Sequence, residues 1–166
     1  MPWVSLLSAV IGAVIATSSA ALLERFRWRR EQHHHLISVR RTLYGNYLEC
    51  LSQARNAFRS LARNLEAAAP ERERIARDSF APCYGMRYQM SITASKQVFE
   101  ASETAFRRLR DVRDLAAAGT LASDEAYVGG RSGYEDALTQ LRAAMRQDLG
   151  ADRLSTRPAT SPHPSE

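Results

Sequence analysis

From Trp3 to Leu23 the chain carries no charged side chain across 21 positions. No other feature limits its possible folds as strongly. At ~1.5 Å per residue, a helix of this length covers ~31 Å, close to the ~30 Å hydrocarbon core of a bilayer. The flanks are asymmetric. No Lys or Arg precedes the run, whereas Arg25, Arg27, Arg29 and Arg30 follow it, with Phe26 and Trp28 between them. Basic residues are retained on the cytoplasmic side, and aromatic rings favour the interface. The expectation is a transmembrane anchor over residues 1–23 in the plasma (inner) membrane, single-pass, with the N-terminus outside. A cleaved signal peptide would need a basic leading region, which is absent, although Ser18-Ser19-Ala20 has the small residues of a cleavage site.

Two further readings attach to the anchor. Ser8, Gly12, Ala16 and Ala20 recur every four residues. Small side chains on one helical face let two backbones approach closely in lipid, so this row is a candidate for span self-association. Arg25, Arg27, Trp28, Arg29 and Arg30 are candidates for contact with anionic headgroups, each basic residue contributing on the order of 1 kcal/mol.

Beyond the collar, Tyr44, Tyr47, Leu51, Ala54, Phe58, Leu61 and Leu65 follow in alternating steps of three and four. That is a heptad seam on a helix expected over 36–66. Gly45 inside it costs about 1 kcal/mol relative to Ala. Pro70 suits the first turn of a short helix over 71–79, which Pro82 is expected to stop. Cys83-Tyr84-Gly85 then reads as a turn, and residues 86–93 as an extended connector or an early helix start. Ser95 is a suitable N-cap for a helix over 96–118, with Gly119 as its terminator. Ser132-Gly133-Tyr134-Glu135 has the form of a capping box and starts a last helix over 133–149, ended by Gly150. Residues 151–166, with three prolines among Ser and Thr, read as a disordered tail. The expected fold is all-α: the anchor continues into a long amphipathic helix. That helix packs with two further helices as an antiparallel bundle or coiled coil in a cytoplasmic domain, 24–150.

No cluster specifies a reaction, a cofactor or a metal. His33, His34 and His35 are consecutive, so on a helix they point about 100° apart and cannot grip one ion. Glu31 and His34 form one E-x-x-H pair, but a di-iron bundle needs two such pairs and two more Glu. The three His beside the Arg collar leave a pH response open. Gly129-Gly130-Arg131-Ser132-Gly133 resembles a phosphate loop but lacks the Gly-Lys-Ser/Thr ending and a preceding strand. Cys50 and Cys83 have no paired spacing and are expected to be free thiols in a reducing compartment. The net charge is +5, but after residue 31 basic and acidic residues alternate. Solvated helix faces explain this better than a one-signed nucleic-acid footprint.

The span, the collar Arg25-Phe26-Arg27-Trp28-Arg29-Arg30, and the helix start Arg40-Arg41-Thr42-Leu43-Tyr44-Gly45-Asn46-Tyr47-Leu48 together resemble small single-span membrane proteins of high-GC Gram-positive (actinobacterial) bacteria. The ending Ala144-Met145-Arg146-Gln147-Asp148-Leu149-Gly150 is also similar to theirs. That uncharacterised group implies a location and lends no catalytic residues. The functional expectation is a membrane-anchored interaction or scaffold protein, not an enzyme, with a second copy or another membrane or cytoplasmic protein as partner. The alternatives are a regulatory or sensor subunit signalling through oligomerisation of the span, and a membrane-attached enzyme with an unrecognised site.

Overall fold

A computed structural model describes residue 28, residues 35–64 and residues 66–151. The chain divides into two compact units, 1–39 and 40–166. In the first unit the described side chains include Trp28, Leu36 and Val39, all exposed. The anchor residues, the Arg collar, Leu65 and the tail lie outside the described residues. Among the described residues no helix is long and apolar enough to cross a membrane.

The described residues form four helices and no strand: α1 over 35–61, α2 Ala69–Thr93, α3 Lys96–Ala117 and α4 Glu125–Asp148. Contacts between successive helices run in opposite senses. On α1 and α2, Arg40 meets Thr93 while Cys50 meets Cys83 and Phe58 meets Phe80. On α2 and α3, Arg72 meets Ala117 and Arg87 meets Glu103. On α1 and α4, Tyr44 meets Asp148. This is an up-down-up-down four-helix arrangement that closes within one chain. All-α is therefore correct, but the bundle has one helix more than the sequence patterns suggest.

The first helix follows its stripe. Tyr44, Tyr47, Leu51, Ala54, Phe58 and Leu61 are all buried, the largest exposure being 6% at Leu61. The helix stops at 61, short of the expected 66. Arg63 and Asn64 donate to the Ser60 carbonyl, which tightens the last turn. The Ala62 carbonyl accepts from the Ala122 amide in the α3–α4 connection, so a terminal carbonyl is satisfied by tertiary structure.

The largest correction is α2. Pro70 does sit in its first turn, but the helix continues through Pro82 and Gly85 to Thr93. Neither the expected stop at Pro82 nor the turn at Cys83-Tyr84-Gly85 forms. Pro82 is exposed, so its ring and its missing amide hydrogen fall on the outer face. The inner face buries Ala76, Phe80, Cys83 and Met90. Arg87 occupies the seam position between the last two, which breaks the apolar pattern in the sequence. Its guanidinium pairs with Glu103 and lies 5.1 Å above the Phe106 ring.

The last helix begins at Glu125, not at 133, and takes in Gly129, Gly130 and Gly133. Gly130 faces α3: a Cβ there would lie 3.0 Å from Leu115 Cδ1. The missing side chain lets the two helices approach closely, and the buried Tyr127 extends the seam one heptad upstream of Tyr134. The helix ends follow the glycines. Gly119 at φ +86° and Gly150 at φ +68° take the left-handed conformation just past α3 and α4. A side chain at Gly119 would also meet the Arg72 guanidinium at 2.9 Å.

Candidate functional site

The middle of the bundle is polar in an unexpected way. Cys50 on α1 and Cys83 on α2 face each other, with their sulfurs 3.0 Å apart and both side chains buried. Both are free thiols, as expected, but their proximity was not legible, because it depends on α2 continuing past Pro82. Burial, followed by the hydrogen bond with Cys50, raises the Cys83 pKa well above the ordinary thiol value. Nearby, the Tyr47 hydroxyl donates to the Ser102 carbonyl at 3.3 Å. At the end of the bundle where α1 meets α4, the Tyr44 hydroxyl donates to Asp148 Oδ2 at 2.7 Å. Arg40 reaches the same carboxylate at 3.3 Å and the Thr93 carbonyl at 3.0 Å. One arginine and one tyrosine thereby tie together α1, α2 and α4.

Tyr134 is the exception to this economy. It is 1% exposed, and its hydroxyl has no hydrogen-bond partner among the described residues. An unpartnered buried hydroxyl costs about 1–3 kcal/mol. Burial pushes its pKa up to about 12, while the charges of Arg55 and Arg142 act in the opposite direction. The neutral hydroxyl carries that cost at pH 7, and because the folded pKa is raised above the unfolded value of about 10, stability falls further as pH rises from about 10 towards the folded value. Tyr134→Phe is therefore expected to be about 1 kcal/mol more stable than the natural chain at pH 7. It should also lose less stability between about pH 10 and 12. Urea unfolding at pH 7 and across that range measures both effects. A clear destabilisation at pH 7 would mean that the hydroxyl has a partner.

Tyr134 also lines a partly enclosed cavity. That cavity, of about 290 Å³, lies between α1, α3 and α4. Arg55 and Arg59 come from successive turns of α1, and Arg131 from α4. Val112, Tyr127 and Tyr134 supply an apolar and aromatic wall. Glu135, the single carboxylate in the lining, sits 3.6 Å from Arg131. Arg55 makes one long hydrogen bond to Asn56 at 3.4 Å. The charge of Arg59 acts on Tyr127 of the same lining. Another cavity, of about 410 Å³, is shallower, and Arg113 in its lining pairs with Asp114 at 2.6 Å.

The structure places the remaining sequence candidates as follows. Leu36 and His35 are exposed on α1. His33, His34 and the span row Ser8, Gly12, Ala16 and Ala20 lie outside the described residues, as do Arg25, Arg27, Arg29, Arg30 and Leu65. Among the described residues no group of three or more His, Cys, Asp or Glu is placed to hold a metal ion. The glycine stretch that resembled a phosphate loop is helix interior, and its Arg131 contributes to the cavity lining. That cavity was not legible in the sequence: Arg131 lies far along the chain from Arg55 and Arg59, and charges of mixed sign read as solvated helix faces. A visible hint was the four-residue spacing of Arg55 and Arg59 on one helix. Comparison with protein families, with curated proteins and with solved structures finds no match to this chain.

Proposed function

We propose that this chain is a membrane-anchored helical interaction module, a self-associating scaffold and not an enzyme, whose bundle lies on the cytoplasmic side of the plasma membrane. Supporting the tether are the uncharged run Trp3 to Leu23 and the one-sided Arg collar that follows it. The observation that carries the interaction role is on α2. Tyr84, Tyr88 and Ile92 stand on successive turns of its outer face at 41%, 66% and 85% exposure. Tyr84 also packs on Phe80 and Phe106, but the bundle core is closed within one chain without Tyr88 and Ile92.

A second copy is the occupant proposed for the row. A row of like side chains is self-complementary about a two-fold axis. Three side chains fall well short of the ~800 Å² per partner that a standard interface buries, so the contact is weak in solution. Confinement of two anchored chains to one bilayer raises their effective concentration and offsets that weakness. The small-residue face Ser8, Gly12, Ala16 and Ala20 adds contact within the span.

Cross-linking of the full-length chain in membranes tests this reading. Dimers or higher oligomers are expected, and Tyr88→Glu with Ile92→Glu should reduce them severalfold. A chain that partitions to the membrane-free fraction would remove the anchor. A membrane-bound chain that stays monomeric would remove self-association.

A further inference from the structure

The arginine-lined cavity goes beyond a scaffold role, and its chemistry is independent of the anchor. From its lining we infer that it is a binding site for a small phosphate monoester. Three guanidiniums and one carboxylate give the wall a formal charge of +2 (three positive, one negative). A phosphate monoester carries about −1.5 to −2 at pH 7, so it matches that charge, whereas a lone carboxylate leaves half of it uncompensated. Arg55 and Arg59, one turn apart on α1, present planar forks with unused donors. Such forks bind phosphate oxygens in pairs. Glu135 fixes Arg131 on the opposite wall.

The organic part of the ligand is bounded in the same way. The volume of about 290 Å³ sits at the lower end of the ~300–1,000 Å³ range for small-molecule sites, which leaves no room for a dinucleotide. Val112 and the two tyrosine rings form the apolar wall against which a short carbon skeleton packs. The Tyr134 ring contributes to that wall, while its hydroxyl is fully buried in the bundle.

The test is isothermal titration of the full-length protein in neutral detergent with glycerol 3-phosphate. Saturable one-to-one binding is expected, weakened at least about tenfold in Arg59→Gln and in Arg131→Gln, in line with the loss of a charge-assisted contact. Arg107→Gln, an exposed arginine on α3 outside the cavity, should bind as the natural chain does. Arg59 and Arg131 are exposed, so these variants should retain the helical circular dichroism of the natural chain. Micelles containing phosphatidic acid present the same monoester on a lipid. Binding to these alone, lost in both cavity variants, would support the site and identify the source as a headgroup. No saturable binding to either probe would overturn the proposal. Equal weakening in Arg107→Gln would do so too, since that describes diffuse charge and not a site.

Discussion

Phe80→Ala is expected to cost about 3–5 kcal/mol, among the largest effects open to a single substitution in this chain. Phe80 is fully buried and is the hub of an aromatic cluster joining three helices. Its ring centroid lies 4.8 Å from Phe106 on α3, 5.5 Å from Tyr84 on α2 and 6.1 Å from Phe58 on α1. The Arg113 guanidinium rests 5.1 Å above the ring. Truncation removes these contacts and leaves a cavity that three packed helices can collapse only in part. Domains of this size are stable by only about 5–15 kcal/mol, so the variant would sit near the edge of folding. Urea unfolding of the full-length chain measures the change, with Ile92→Ala as an exposed control expected within about 0.5 kcal/mol. The result bears directly on topology. A loss below about 1 kcal/mol would mean that α2 does not carry Phe80 into the core.

The second large effect is covalent. Refolding in a glutathione redox buffer is expected to join Cys50 to Cys83. The separation of 3.0 Å is about 1 Å longer than an S–S bond of ~2.05 Å, and the two residues lie on facing helices. In the reaction, one cysteine thiolate attacks oxidised glutathione and expels one reduced glutathione. The other cysteine then displaces the second glutathione from the mixed disulfide. The protein loses two thiol protons and two electrons, and the oxidant becomes two reduced thiols. Burial and the raised Cys83 pKa keep the thiolate scarce in the folded chain, so oxidation of the native protein should be slow compared with oxidation during refolding.

A crosslink across the 33 positions from Cys50 to Cys83 should stabilise the fold by about 3.5–4 kcal/mol on the chain-entropy estimate. Mass spectrometry of a non-reduced digest identifies the bond, and comparison of urea midpoints with and without reductant gives its energy. A chain that refolds to the native state with both thiols still free, at a redox poise that oxidises ordinary structural dithiols, would exclude the pairing. The same chemistry reports on orientation. Trapping the thiols in living cells should find them reduced if the bundle is cytoplasmic, as proposed, and joined if it faces an oxidising side.

The parts of the fold that were legible are those where local signals agree. The seam from Tyr44 to Leu61 shows in the heptad spacing because every inward position is apolar. The α3 boundaries follow Ser95 and Gly119, although the Ser95 side chain makes no capping hydrogen bond. Gly150 marks the end of α4 because left-handed backbone favours glycine. The heptad steps of the lower half of α4, from Tyr134 to Met145, were also readable.

What only the tertiary structure decided lies where local propensity and packing disagree. Pro82 and Gly85 argue against a helix, yet α2 runs through both, because burying Phe80, Cys83 and Met90 outweighs the local cost. Gly129, Gly130 and Gly133 argue for a loop, yet Gly130 is where α4 closes on Leu115. The proximity of Cys50 and Cys83, and the meeting of Arg55 and Arg59 with Arg131, are consequences of these two overrides. Sequence spacing along one helix determines which residues share a face. Which faces meet depends on where each helix starts, how far it runs and what it packs against, and no single segment carries that information.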